Sequence, residues 1–248
     1  MIDQLTILLN THSSCSDVWP MFFGRLANFW PGHPPVIMSV NDDCNDEPGL
    51  CCSKNWAFVG NATSGVTLPD NLRIYRYESA DKFGQQYLQG LSHVQTDYVL
   101  PVLEDMILMG PVDAAAIEDG IAQTSELRLT TVTTGKEIGR AGRWRHCTDV
   151  FTMQPTIHKT SDLLRSIIDH RHCKTAREWE DSMRDAGPRF CLDPNSCGPQ
   201  RGRTHFDSIV FPAMCTAINK ERWNREYEKE LTPLLSKCGI DPTLRGWK

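Results

Sequence analysis

Short apolar runs alternate with stretches of helical periodicity along the first hundred residues. Residues 5–9, 36–40 and 72–77 are rich in β-forming side chains and predict strands. Apolar positions three and four residues apart predict helices over residues 14–30 and 82–94. Strand, helix and strand in this order are typical of a right-handed parallel unit, in which ligands bind at the carboxyl ends of the strands.

The fourth apolar run is followed by two acids. Residues 98–103 predict a strand covered on both faces, and Glu104 and Asp105 follow it before further apolar residues. Two adjacent carboxylates are costly to bury unless a partner compensates their charge. Mg²⁺ and Mn²⁺ prefer such oxygen ligands, and proteins usually hold Mg²⁺ with one or two carboxylates together with substrate phosphates. The alternative is a strand that ends at Glu104, with both acids in solvent.

The pattern becomes less regular after residue 110. Four helices are expected, over residues 112–125, 160–168, 175–186 and 220–236, the last with Gly239 as its cap. Strands are expected over residues 127–133, 150–157 and 207–215, and basic or glycine-containing loops over residues 135–146 and 191–204. Together the elements predict one α/β domain with an open, Rossmann-like, mostly parallel sheet flanked by helices.

The composition indicates a globular protein and argues against several other classes. The 248 residues are 40% hydrophobic and 23% charged, which is typical of a globular protein. A net charge of -5 argues against a nucleic-acid partner, which would need a basic surface. No apolar run reaches the about 18 residues of a transmembrane segment, and residues 1–10 lack the basic start of a secretory signal. Ten cysteines in such a chain predict reduced thiols and a cytoplasmic protein.

Several stretches, taken in order, resemble nucleotide-sugar-dependent glycosyltransferases of the GT-A fold, of the polysaccharide-synthesis type found in bacteria and large DNA viruses. The stretches are the first strand with Thr11-His12-Ser13, residues 97–105, residues 151–157 with Glu178-Trp179-Glu180, and residues 218–246. The second is similar to the Asp-x-Asp metal motif of that fold, although it ends in Leu103-Glu104-Asp105. The resemblance extends from about residue 4 to residue 246.

The resemblance implies a single GT-A domain with a nucleotide-sugar-binding half, residues 1–110, and an acceptor-binding half, residues 111–248. It implies transfer of a sugar from a nucleoside diphosphate sugar, with a UDP-sugar favoured, to a hydroxyl of a glycan or glycolipid. The expected cofactor is Mn²⁺ or Mg²⁺, and the expected mechanism is inverting, with a carboxylate as general base.

The resemblance also implies roles for individual residues. The metal ligands are expected to be Asp105, Glu104 and, near the end of the chain, His205. The nucleotide sugar is expected to contact Thr11, His12, Ser13, Asp42 or Asp43, Arg76, Glu104 and Arg143. Glu180 is the first choice for the base and Glu178 the second. The arginines of the two basic loops, Arg140, Arg143, Arg145, Arg201 and Arg203, could close over the diphosphate.

Each of these residues also has a purely structural interpretation. Thr11 to Ser14 are residue types that cap helices, Glu178 and Glu180 are favourable near a helix N-terminus, and single arginines are usually solvated. A nucleotidyltransferase is a competing hypothesis, but residues 11–15 lack the glycine-rich, lysine-containing loop it would need after the first strand. A carbohydrate-binding protein with a degenerate site is the third hypothesis.

Overall fold

The computed structural model describes residues 2–41, 68–78, 82–130, 136–149, 151, 153–185, 189–193 and 208–248. The predicted site residues Asp42, Asp43, Arg201, Arg203 and His205 therefore lie outside the described residues. The same holds for residues 131–133 of one predicted strand and for residues 194–204 of one predicted loop.

The first four strands form a parallel sheet, as the sequence pattern predicts. They are β1 (Leu5–Thr11), β2 (Val36–Asn41), β3 (Leu72–Tyr77) and β4 (Tyr98–Leu103), followed by the short β5 (Met106–Leu108). Their spatial order is β3-β2-β1-β4, with Thr11 beside Val40 and Asn10 beside Leu103. The carboxyl ends of β1, β2 and β4 therefore meet at one edge of the sheet.

Five further strands extend this sheet beyond β4. They are β6 (Glu126–Arg128), β7 (Lys136–Ala141), β8 (Trp144–Asp149), β9 (Thr156–Lys159) and β10 (Arg189–Asp193). The nine-stranded order is β3-β2-β1-β4-β9-β6-β10-β8-β7, and β9 runs antiparallel to β4. The predicted α/β class with an open sheet is confirmed; its parallel part is the N-terminal half, while the C-terminal half is mixed.

Three short strands complete the described strands. They are β11 (Ala213–Cys215), which pairs with β5, and β12 (Ile218–Asn219) and β13 (Arg222–Trp223), which form a hairpin. Because β5 leaves the end of β4, its pairing with β11 draws the late part of the chain to the carboxyl edge of the sheet.

Helices cover both faces of the sheet. They are α1 (Trp19–Phe29), α2 (Phe83–Ser92), α3 (Ala114–Ile121), α4 (Thr160–Asp169), α5 (Ala176–Asp185) and α6 (Glu228–Lys237). The apolar side chains of α1, α3 and α6 belong to the larger core cluster, and those of α2, α4 and α5 to the smaller one. None of the described helices is long and apolar enough to cross a membrane.

Trp179 anchors α5 in the smaller core. Its side chain is fully buried, with ring centroids 5.0 Å from Tyr87 and 4.9 Å from Phe151. Large buried aromatic rings contribute much of the apolar area of a core. Trp179 is therefore a packing residue, and it fixes the position of Glu178 and Glu180 on either side of it.

The described part of the predicted basic loop, residues 136–146, is not the flexible loop that was expected. It forms the β7–β8 hairpin, which turns at Gly142 with a φ of +60°. Arg140 Nε donates to Glu137 Oε1 over 2.7 Å, and Arg145 Nε donates to Asp193 Oδ1 over 3.0 Å. The prediction of an irregular loop there is therefore wrong, because the segment forms paired strands at the far edge of the sheet.

Several predicted boundaries are also wrong. The first helix begins at Trp19 and not near Ser14, because a short 3-10 turn, Ser13–Cys15, comes first. The last helix begins at Glu228 and not at Lys220, because Lys220 and Glu221 have φ values of 50° and 65°. Left-handed residues favour a tight hairpin and cannot continue a helix. Gly239, with a φ of 66°, ends α6 as predicted.

Candidate functional site

The turn after β1 is attached to the end of β2. The backbone N–H of Ser13 donates to Asn41 Oδ1 over 2.6 Å, and Asn41 Nδ2 donates to Ser13 Oγ over 3.2 Å. His12 caps the 3-10 turn, since its Nδ1 accepts from the Ser14 N–H at 3.2 Å. His12 is exposed and Ser13 is half-buried. The turn is therefore held in place while its polar groups remain accessible.

Thr11 has a supporting position at the end of β1. It is buried, its Oγ1 accepts from Trp19 Nε1 over 2.9 Å, and its carbonyl accepts from the Tyr77 hydroxyl over 2.8 Å. These bonds attach the end of β1 to α1 and to the end of β3. Thr11 thus fixes the edge at which His12 and Ser13 are presented.

Glu104 and Asp105 form the turn between β4 and β5, at this same edge. The Cys15 thiol lies within hydrogen-bonding range of the Glu104 carboxylate. Burial and the nearby Glu104 charge raise the pKa of Cys15 to about 12. The thiol is therefore protonated at neutral pH, and as a donor to Glu104 it links the turn after β1 to the turn after β4.

The ionised form of Asp105 is disfavoured in the folded protein. Burial, followed by repulsion from Glu104, raises the pKa of Asp105 to about 7, against the opposing effect of hydrogen bonds from the backbone amides of Ile218 and of Asp105 itself. The Asp105 carbonyl also accepts from the Ala217 N–H over 3.1 Å. Two carboxylates that repel each other in a half-buried turn are a suitable place for a cation or a hydrogen-bond donor from a ligand.

The loop that contacts Asp105 has an unusual backbone. Thr216 has a φ of 97°, and its carbonyl accepts from Asn224 Nδ2 over 3.1 Å. A β-branched residue rarely adopts this region, and such a conformation costs about 1–3 kcal/mol. The Asn224 N–H also donates to the Ala217 carbonyl over 2.9 Å, so the surrounding hydrogen bonds hold the loop against the acid pair.

Arg245 joins the end of the described chain to the turn after β1. Its Nε donates to Asp17 Oδ2 and its Nη2 to the Ser14 carbonyl, both over 2.8 Å. Its Nη1 donates to the Glu221 carbonyl over 3.3 Å, and its guanidinium carbon lies 5.8 Å from the centre of the Trp223 ring. Only 11% of the Arg245 side chain is exposed. The ion pair with Asp17 is therefore largely shielded from solvent.

A buried acceptor lies beneath this edge. Asn10, which is 4% exposed, sits beside Leu103 in β4 and Ser39 in β2. Among the described residues, Asn10 Oδ1 has no hydrogen-bond partner. An unsatisfied buried acceptor costs about 1–3 kcal/mol, so its presence at a functional edge calls for an explanation such as a ligand, an ion or water.

The two candidate bases have different surroundings. Glu178 Oε2 accepts from the Lys174 N–H over 2.7 Å, and the Glu178 N–H donates to Thr175 Oγ1 over 3.1 Å, in the manner of a capping box. Glu180 Oε1 accepts from the Met153 N–H over 3.2 Å. Met153 precedes the end of β9 that faces the carboxyl end of β4. Glu180 thus contacts the segment that leads into β9, and Glu178 caps its own helix.

The remaining predicted binding residues lie apart from the acid pair. Arg143, at the tip of the β7–β8 hairpin, forms an ion pair of 2.7 Å with Asp113, the residue that caps α3. Arg76 is exposed near the end of the edge strand β3, beside Val40 of β2. The structure therefore brings together Thr11, His12, Ser13, Glu104 and Asp105, and Arg76 lies two strands from Thr11 along the same edge.

Four residues of this arrangement were not identified from the sequence as site residues: Cys15, Asp17, Asn41 and Arg245. Asn41 and Cys15 lie next to predicted strand and turn residues, so the polar residues at the strand ends could have identified them as site residues. The Arg245–Asp17 pair spans 228 residues. No local pattern indicates a pairing over that distance.

A metal site with three protein ligands is not formed by the part of the chain that the structure describes. Within it, no group of three or more His, Cys, Asp or Glu residues is suitably placed. Glu104 and Asp105 offer two carboxylates, which suits an ion that takes its other ligands from water and substrate phosphates. His205, the third predicted ligand, belongs to the stretch that is not described.

Comparison with solved structures identifies the fold. No protein-family model matches the chain, and no curated protein matches it in sequence. Among solved structures, an active-site mutant of LgtC is similar with a TM-score of 0.56 and 10% identity, over 94% of this chain and 95% of that chain. S. aureus TarS 1-349 in complex with UDP gives a TM-score of 0.45 and 15% identity, over 78% of this chain and 59% of that chain. The complex of the same protein with UDP-GlcNAc gives a TM-score of 0.45 and 14% identity, over 81% and 60%.

The likeness to LgtC extends over nearly the whole of both chains, whereas this chain spans about three fifths of the TarS fragment. The chain has the GT-A fold, and the resemblance found in the sequence is confirmed at the level of the fold. At these identities the likeness concerns the fold, while activity has to be argued from the site.

Arg245 offers a direct test of this geometry. Replacement of Arg245 by Lys should lower the free energy of unfolding by about 1–3 kcal/mol, because an ammonium cannot reproduce the bidentate contact with Asp17 and the bonds to two carbonyls. Urea unfolding at neutral pH measures the change. The matched control is Arg225→Lys, since that side chain is 68% exposed and lies 3.9 Å from Glu228. Equal effects of the two substitutions would contradict the structural role of Arg245.

Proposed function

We propose that the chain is a glycosyltransferase that moves a sugar from a nucleoside diphosphate sugar to a hydroxyl of a glycan or glycolipid. The observation that carries the proposal is the meeting of Glu104 and Asp105 with the turn after β1 and the end of β2. Open α/β sheets bind ligands at the carboxyl ends of their strands, where these polar groups lie. The resemblance in the sequence favours a UDP-sugar as donor.

The polar groups at the end of β1 suit a nucleotide sugar. His12 and Ser13 are accessible on a turn that Asn41 and Arg245 hold in place. A preorganised turn loses little conformational entropy when it binds a ligand. In this proposal the nucleotide lies along the ends of β1 and β2, and its diphosphate points toward Glu104 and Asp105.

Glu104 and Asp105 are proposed to hold Mn²⁺ or Mg²⁺. Their mutual repulsion and the unpartnered Asn10 Oδ1 near the same edge support a site that is completed by a cation with its water and phosphate ligands. When bound, such an ion neutralises the charge that develops on the leaving diphosphate. The Ile218 amide and the Cys15 thiol keep the two carboxylates oriented.

Glu180 is proposed as the general base of an inverting transfer. Its carboxylate accepts the proton of the acceptor hydroxyl while that oxygen forms a bond to the anomeric carbon. The bond between the anomeric carbon and the diphosphate oxygen breaks at the same time, and the nucleoside diphosphate leaves with that electron pair. The support for Glu180 over Glu178 is its contact with Met153, just before β9, and its ion pair of 3.6 Å with the exposed Arg177, whereas Glu178 caps the start of its own helix.

Calorimetric titration with nucleoside diphosphates tests the donor site. UDP is expected to bind in the presence of Mn²⁺, and Asp105→Ala should weaken binding by at least about tenfold, because it removes one of two proposed ligands of the ion. Asp70→Ala is the matched control, since Asp70 is exposed just before β3, at the opposite edge of the sheet. Failure of the unmodified chain to bind any nucleoside diphosphate would contradict the proposal.

Substitution of the two glutamates separates their roles. Glu180→Gln should lower the rate of UDP release from the donor by about 10²- to 10⁴-fold, as expected for loss of a general base, and leave UDP affinity unchanged. Glutamine keeps an oxygen that can accept from the Met153 N–H. Glu178→Gln should leave the rate within a few fold. Full activity of Glu180→Gln, or an equal loss in both variants, would rule out Glu180 as the base.

A further inference from the structure

The last described residues form a small three-stranded sheet with the β12–β13 hairpin. Asn219 pairs with Arg222 across the hairpin. On the other side of β13, the Trp223 N–H donates to the Gly246 carbonyl and the Lys248 N–H donates to the Trp223 carbonyl, each over 2.9 Å. Trp223 and Trp247 form a parallel bridge. The end of the chain is thus an added strand beside β13.

One face of this small sheet is cationic. Side chains alternate between faces along a strand, so Arg222 and Lys248 lie on the face opposite the buried Trp223. Lys220 joins them from the hairpin turn. Arg222, Lys220 and Lys248 are all exposed. Gly246 lies beside Arg222 in the parallel ladder, and no atom lies within 4 Å of the position that its Cβ would take.

These three cations lie close to one another. The Lys248 amine is within hydrogen-bonding range of the Lys220 amine, and its pKa is lowered by desolvation and by the neighbouring charges of Lys220 and Arg222. Like charges at such separations destabilise a folded protein. Among the ion pairs of the described residues, none includes Lys220, Arg222 or Lys248. The described residues therefore give these three cations no acidic side-chain partner, and an anion from outside would offset their repulsion.

The cationic face borders the acid pair. The Ile218 amide donates to the Asp105 carboxylate, and Lys220 follows Ile218 by two residues, a span of about 7 Å in an extended chain. Arg245 holds the hairpin turn through the Glu221 carbonyl and holds the turn after β1 through Asp17. The cationic face is therefore attached both to the turn that carries the acid pair and to the turn after β1.

A phosphate group matches this face in charge and geometry. Lysine ammonium groups bind phosphate as point charges, and arginine can bind it with two parallel hydrogen bonds. All three cations come from residues 220–248, which belong to the predicted acceptor-binding half, whereas the proposed donor contacts come from the ends of β1, β2 and β4. This separation favours the acceptor over the donor as the source of the anion.

We propose that Lys220, Arg222 and Lys248 form a binding site for a phosphate group on the acceptor, so that the enzyme selects a phosphorylated glycan or glycolipid. This inference rests on the proposed glycosyl transfer and names the class of acceptor. An uncharged acceptor would leave three exposed cations beside the site without a function in binding.

The test is titration of the ¹⁵N-labelled full chain with glucose 1-phosphate, followed by NMR. Saturable shifts are expected at the amides of Lys220, Arg222 and Lys248, and glucose at the same ionic strength should not cause them. The double variant Lys220→Gln/Arg222→Gln should bind glucose 1-phosphate at least about fivefold more weakly, because two charge-assisted hydrogen-bond donors are lost. The control Lys229→Gln/Lys237→Gln makes the same charge change on α6 and should bind as the unmodified chain does. Absence of saturable shifts at the three amides, or equal weakening in both double variants, would overturn the inference.

A second arm of the experiment separates acceptor from donor. The affinity for UDP with Mn²⁺ should be the same in Lys220→Gln/Arg222→Gln and in the unmodified chain. A parallel loss of UDP affinity would assign the cations to the donor diphosphate and overturn the acceptor inference. Failure of the unmodified chain to bind UDP contradicts the proposed function itself, and it is recognised independently of the glucose 1-phosphate shifts.

Discussion

The burial of Asp105 beside Glu104 is the constraint around which the carboxyl edge of the sheet is organised. Both acids follow β4 directly, and burial, followed by repulsion from Glu104, raises the pKa of Asp105 to about 7. Two segments contact the acid pair: the turn after β1 through Cys15, and the loop with Thr216 through the amides of Ala217 and Ile218. Arg245 then links the hairpin turn to the turn after β1. A fold that served stability alone would gain by exposing both acids to solvent, so their placement favours a role in binding or chemistry.

The carboxyl edge of the sheet is built from both the early and the late part of the chain. The parallel strands β1 to β4 place polar groups at one edge, but β11, the hairpin and Arg245 enclose that edge from residues 213–245. Arg245 supplies the contact between the two regions, and it is shielded enough for its ion pair with Asp17 to matter. The turn after β1 and the cationic face are therefore held by the same side chain.

The sequence predicted best those features that local pattern determines. The runs of β1 to β4, the acids after β4 and the cap at Gly239 follow from periodicity, turn chemistry and charge. The β7–β8 hairpin was missed because its glycines and arginines suggested a loop, whereas its strands are stabilised by pairing with β10. The β12–β13 hairpin was missed because its turn residues, Lys220 and Glu221, have left-handed backbone angles. Turns of this kind usually contain Asn, Asp or Gly, so the sequence does not indicate a turn there. Arg245 and Asp17 could not be paired from sequence, since only the folded sheet brings them together.

The central claim is that the acids at the end of β4 act on a nucleotide sugar. The most direct measurement is the release of nucleoside diphosphate from a panel of nucleotide sugars incubated with the protein and Mn²⁺. We expect release from at least one of them, most readily a UDP-sugar, and we expect the double variant Glu104→Gln/Asp105→Asn to lose that release. Glycosyl transfer at these acids would be contradicted if every nucleotide sugar remained intact after prolonged incubation with the acceptors supplied. It would also be contradicted if the release required a nucleoside triphosphate.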